Sequence, residues 1–113
     1  MRLQRKNFQD ITNQIKTVEG RINDGKRKTL SVGDSIEFIP MEPDNITHST
    51  ESNIFGEIVE LFICKTWNEL LDHYSIENFG VESRQEYLDI VDKYYTKEEE
   101  AEFGVVGIRF KLV

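Results

Sequence analysis

QIKTVEGRIND, residues 14–24, is the stretch on which the fold of this 113-residue chain turns. Within Thr17–Ile22 the apolar or small residues Val18, Gly20 and Ile22 alternate with Thr17, Glu19 and Arg21, which is the period of a strand with two unlike faces. One face enters a core and the other projects Glu19 and Arg21 together. Lys16 has the wrong parity to join them unless the chain turns at the junction where the strand begins. A lysine, a glutamate and an arginine within six positions then read in one of two ways. They form the wet face of a strand, where an exposed ion pair contributes only about 0 to 1 kcal/mol, or they line a pocket.

The neighbouring segments supply the rest of a small sheet. Upstream, Phe8, Ile11 and Ile15 recur at i, i+3 and i+7 in KNFQDITNQI, predicting a short helix over 6–15. Downstream, NDGKRKTL (23–30) is a basic loop with Asp24-Gly25 as its bend, and Val32-Gly33-Asp34 is a second turn. Ile36 and Phe38 then alternate with Ser35 and Glu37 in a strand over Ser35–Ile39. Pro40 to Ser52, holding both prolines, is expected to be a polar flap. Residues 54–64 are apolar on both parities apart from Glu57 and Glu60, as in a long central strand, expected over Ile54–Lys65, that bends or bulges.

Helices follow. Thr66 with Glu69, Ser83 with Glu86 and Thr96 with Glu99 are capping-box pairs, and Tyr87, Val91 and Tyr95 share one helix face. The chain closes on a strand over Val105–Leu112, with Val106, Ile108, Phe110 and Leu112 alternating against Gly107, Arg109 and Lys111. The expected architecture is α+β: one domain over 1–113, a small mixed β-barrel with flanking helices and with Val18, Ile36, Val106, Ile108 and Phe110 in its core.

Composition narrows the function. No apolar run approaches the length of a membrane span and MRLQRKNFQD is too polar for a signal-peptide core, so a cytoplasmic location is expected. The single cysteine, Cys64, lies in an apolar run and reads as a small hydrophobe; with no Cys/His cluster, neither a metal nor a cofactor is expected. Asn45-Ile46-Thr47 matches a glycosylation sequon and reads as ordinary loop. The net charge of −7 argues against indiscriminate RNA binding, but residues 1–28 hold eight of the 14 Lys and Arg against three acids. That quarter carries +5 and the remainder −12. Such segregation focuses an anionic ligand on one cleft.

Lys16-x-x-Glu19-x-Arg21, Val32-Gly33-Asp34 leading into a strand, and the ending Tyr94-Tyr95-Thr96-Lys97-Glu98-Glu99 through Phe103-Gly104-Val105-Val106-Gly107-Ile108 together resemble the ASCH family of PUA-like β-barrels. The resemblance spans nearly the whole chain. It implies a barrel with helices at one side, a cleft lined by Lys16, Glu19 and Arg21, and binding of RNA or a nucleotide there. The family signature G-x-K-x-x-E-x-R places its glycine on Gln14, so the turn before Lys16 is made without the residue best suited to positive φ. A distant branch, the bacterial N4-acetylcytidine amidohydrolases, is similar in the lysine and arginine but has threonine in place of Glu19. Its catalytic constellation includes a glutamate, for which Glu77 is the candidate here.

Three functions are therefore open. In a binding module, Arg21 and Glu19 pair and present polar groups to a base, Lys16 meets a phosphate, and Trp67, Tyr94 or Tyr95 offers a stacking surface. In an amidohydrolase acting on an acylated nucleoside, Lys16 and Glu19 are catalytic. In a protein-interaction domain, the acidic helices of 66–103 carry the function. Acetate release is not expected, because Glu19 stands where the amidohydrolases have threonine.

Overall fold

The turn that Lys16 requires is made by Gln14. In the computed structural model, which describes every residue except Pro43, Asn45, Ile46, Thr50 and Glu51, helix α1 spans Arg5–Thr12 and stops short of the length its apolar spacing predicts. Gln14 takes φ +59°, and the amides of Ile15 and Lys16 both donate to the Asp10 carbonyl, at 2.8 and 3.0 Å. The reversal leaves Ile15 exposed, not packed on the helix stripe. Left-handed backbone disfavours a side-chain-bearing residue by roughly 1–2 kcal/mol, partly offset by the extra freedom glycine has when unfolded. Gln14→Gly is accordingly expected to raise stability by about 0.5–1 kcal/mol. Urea unfolding checks this, and an unchanged or lower midpoint would show that the turn carries no strain.

Strand β2 follows at Val18–Ile22. It joins β1 (Arg2–Leu3), β3 (Ser35–Pro40), β4 (Ile54–Cys64) and β5 (Val105–Leu112) in one sheet of order β1-β3-β4-β5-β2. β1 runs parallel to β3 and the other pairings are antiparallel. β1, only two residues long, has no periodicity to announce it. The register of β4 against β5 shifts between Ile58 and Glu60, the bulge expected in this strand. Bulges bend a sheet, and the product is a half-barrel whose edges are β1 and β2.

Each face of this sheet carries its own core. Inside lie Leu3, Ile36, Phe38, Ile58, Val106, Ile108 and Phe110, closed by Phe8 and Ile11 of α1. Outside, α2 (Trp67–His73), its C-cap Tyr74 and α3 (Arg84–Tyr94) cover Val18, Ile22 and Val105 with Trp67, Leu70, Tyr74, Tyr87 and Val91. Val18, expected in the barrel core with Ile36 and Val106, therefore belongs to the outer layer. The period of two explains the correction. Glu19 and Arg21 lie opposite Ile108 and Val106, so the charged face of β2 is the inner one.

Gly20 and Gly107 face each other across β2 and β5 and let the helices approach. A Cβ on Gly20 would stand 2.2 Å from the Tyr87 hydroxyl, and one on Gly107 2.5 Å from Leu70. Thr66, Ser83 and Thr96 each accept the amide three residues on. The reciprocal box is complete only at Thr96, which opens α4 (Lys97–Phe103); Glu69 and Glu86 reach back one residue further, to the amides of Lys65 and Glu82. The flap expected over Pro40 to Ser52 falls in part outside the described residues, as do Asn45 and Ile46 of the sequon; at its ends Met41 bridges His48. Among the described residues no helix is long and apolar enough to cross a membrane.

Candidate functional site

The gap between the two sheet edges is a cleft of about 500 Å³. Its floor is the motif. Lys16 reaches it because the Gln14 turn sets the lysine beside Phe79, with which it forms a single antiparallel bridge. The Lys16 ammonium then stands 2.8 Å from Glu19 Oε2 and donates to Asn7 Oδ1 of α1 at 3.3 Å. Arg21 Nε lies 3.3 Å from Glu19 Oε1. The three side chains are 6%, 10% and 20% exposed for Lys16, Glu19 and Arg21, so the wet-face reading fails and the pocket reading holds.

Electrostatics fix the charge state of the central carboxylate. Burial pushes the Glu19 carboxyl upward, but Lys16 and Arg21 outweigh it, with Arg27 adding, and hold it below the ordinary value. Arg21 is likewise disfavoured by burial and held up by Glu19 and then Tyr95. Glu19 and Arg21 thus each favour the charged form of the other. Lys16 meets Glu19 Oε2 as an ion pair at 2.8 Å, whereas Arg21 Nε is buried with no hydrogen-bond partner.

β2 contributes its backbone as well. Phe110 donates to the Thr17 carbonyl and Asn23 to the Gly104 carbonyl, so the odd-numbered residues of β2 pair with β5 and the alternation turns the peptide groups of Gly20 to the free edge. Gly20 lines the cleft. The opposite wall is α3, with Ile90 and Tyr94, and its C-cap residue Tyr95; Tyr94 is 56% exposed.

Of the aromatics proposed for stacking, Tyr94 and Tyr95 line the cleft, whereas Trp67 is buried against Tyr87 and Tyr95 and is a core residue. Glu77 stands exposed and outside the cleft lining. The Cys64 thiol, pushed up to about 11 first by burial, donates to the Thr66 carbonyl and stays protonated at neutral pH. Asn7 and Arg2 escaped the sequence reading, since no local pattern distinguishes a polar residue of α1 or β1 that meets β2 only through the fold. Among the described residues no group of three or more His, Cys, Asp or Glu is placed to hold a metal ion.

A half-barrel sheet flanked by four helices, with a basic-acidic-basic triad at its open seam, defines an α+β protein of PUA-like fold. The chain belongs to the ASCH domain family, whose family model matches residues 1–113. It is similar to the crystal structure of hypothetical protein PH0355, with a TM-score of 0.80 and 26% identity over 100% of this chain and 96% of that one. The solution structure of protein PF0455 from Pyrococcus furiosus is also similar, with a TM-score of 0.70 and 23% identity over 100% of this chain and 94% of that one. No curated protein matches the chain.

Proposed function

We propose that the cleft binds a single nucleotide unit, free or at an RNA end, through Lys16, Glu19 and Arg21. The observation that carries this reading is the buried triad on the cleft floor, in which Arg21 Nε has no hydrogen-bond partner and the Glu19 carboxylate is held by the Lys16 ion pair at 2.8 Å. An unsatisfied buried polar group costs about 1–3 kcal/mol, and a base edge, which offers both N–H donors and ring acceptors, satisfies an anionic acceptor and a cationic donor at once. The cleft volume lies within the range of about 300–1,000 Å³ common to small-molecule sites. Gly20 adds peptide groups at the strand edge, and Lys16 balances the carboxylate. The acidic remainder of the surface disfavours a long RNA track, so recognition is local.

Tyr94 supplies the stacking face. Its removal is expected to weaken binding of nucleotides or short single-stranded RNA about 5- to 100-fold, from roughly 1–3 kcal/mol per stacked base, with no loss of thermal stability because the ring is exposed. Calorimetric titration of Tyr94→Ala checks this; undiminished affinity would remove Tyr94 from the site. The amidohydrolase alternative draws less support. Glu77 does not line the cleft, and Glu86, which does, is engaged by the Glu82 amide. The interaction-domain alternative rests on helix charge alone.

A further inference from the structure

Beside the base cleft lies a second cavity, of about 680 Å³. Arg2 and Arg21 border both. Its remaining charged side chains are Lys26 and Arg27, from the basic loop, and Glu37 of β3. The Glu37 carboxylate is already an acceptor for the Asn53 side chain, at 3.3 Å, and Arg21 is paired with Glu19 only through Nε. Four cationic side chains and the Met1 ammonium thus surround a space that contains one carboxylate.

The loop is built to hold Arg27 inward, while Lys26 stays exposed at the cavity rim. Asp24 accepts the Arg27 amide with its side chain at 3.2 Å and the amides of Arg27 and Lys28 with its carbonyl at 3.0 Å, which winds Arg27–Thr29 into a 3-10 turn. The turn carries Arg27 toward the sheet, where its Nε is buried with no hydrogen-bond partner. Arg27 also acts on Glu19, helping to hold its carboxyl low, so one electrostatic field spans both cavities. A guanidinium is a strong donor to phosphate oxygens, and its fork is planar and bidentate. Like charges gathered around a cavity repel unless an anion lies among them.

We propose that this second cavity is a phosphate subsite, in which Lys26, Arg27 and Arg21 take the phosphoryl group of the nucleotide whose base occupies the first cleft. The inference rests on the base-cleft reading and narrows its ligand from a nucleoside to a phosphorylated one. Arg21, bordering both spaces, is the junction between base and phosphate. The sequence supplies the loop's two lysines and one arginine but not the direction of Arg27, which the Asp24 turn sets.

The experiment compares the four ribonucleosides, their 5′-monophosphates and pyrophosphate as probes by calorimetric titration. For the wild type, monophosphates are expected to bind about tenfold or more tightly than nucleosides, as charge-assisted hydrogen bonds allow. Lys26→Ala/Arg27→Ala should erase that difference while leaving nucleoside affinity in place, and should abolish pyrophosphate binding. Arg27→Gln, which keeps most of the side chain, provides the same readout if the double variant folds poorly. Equal affinities for nucleosides and monophosphates in the wild type would overturn the subsite, as would a phosphate gain that survives the substitutions. Glu19→Gln separates the two readings, since it should weaken nucleosides and spare pyrophosphate. Pyrophosphate binding with no nucleoside binding would overturn the base cleft and leave the phosphate subsite standing.

Discussion

Glu19→Ala is expected to lower stability by about 3–5 kcal/mol, the cost of breaking a buried ion pair and leaving its partners uncompensated. Lys16 and Arg21 would then face each other across the site without the carboxylate that lies 2.8 Å from one and 3.3 Å from the other. Chemical denaturation measures the loss. The informative companion is the apolar replacement Lys16→Met/Glu19→Leu/Arg21→Met, which removes all three charges while keeping their volume. Buried ion triads are often no more stabilising than well-packed apolar side chains, so this variant should recover most of the stability and bind no nucleotide. A triple variant as unstable as Glu19→Ala would make the triad a structural element of the half-barrel instead of a binding site.

The same carboxylate sets an acid limb. Its folded-state value is depressed, so as pH falls the unfolded chain takes up the proton first. The triad's contribution is therefore complete above the ordinary glutamate value of about 4.3 and is lost as pH drops through the lower folded value. Glu19→Gln should be less stable than the wild type at neutral pH and should show a flatter loss of stability in acid.

Arg21→Ala should weaken nucleotide binding about 30-fold or more, since truncating one member of a buried charge pair costs roughly 2–5 kcal/mol. Its loss removes a counter-charge of Glu19 and, on the proposed reading, a donor to the base and a charge for the phosphate. Arg21→Lys keeps the charge but not the planar fork, so affinity should stay low while its salt dependence returns. The smaller burial of Arg21 compared with Glu19 means that stability falls less than in Glu19→Ala. Binding unaffected by Arg21→Ala and by Lys16→Ala would move recognition to the basic loop at residues 26–28.

Alternation and capping are local, which is why the sequence alone determined β2, β3, β4, β5 and the starts of α2, α3 and α4 to within a residue or two. Val18-x-Gly20-x-Ile22 fixes which residues share a face whatever the strand packs on, and Thr66, Ser83 and Thr96 bond their own helices. The family, too, was legible from Lys16, Glu19 and Arg21 with the ending around Gly104. Which face of β2 points inward was not: that follows from pairing with Ile108 and Val106, some ninety residues away in the chain. Tertiary structure also placed Trp67 in the core and Tyr94 on the cleft, and carried Lys16 across its own parity through the φ +59° turn at Gln14. Nor does any local pattern show that Asn7, Arg2 and Arg27 meet this strand, because side chains from separate segments converge only when the sheet curls at the bulge and its two edges close around them. Periodicity records how each segment divides polar from apolar; the burial that turns a charged strand face into a site depends on what the remainder of the chain lays over it.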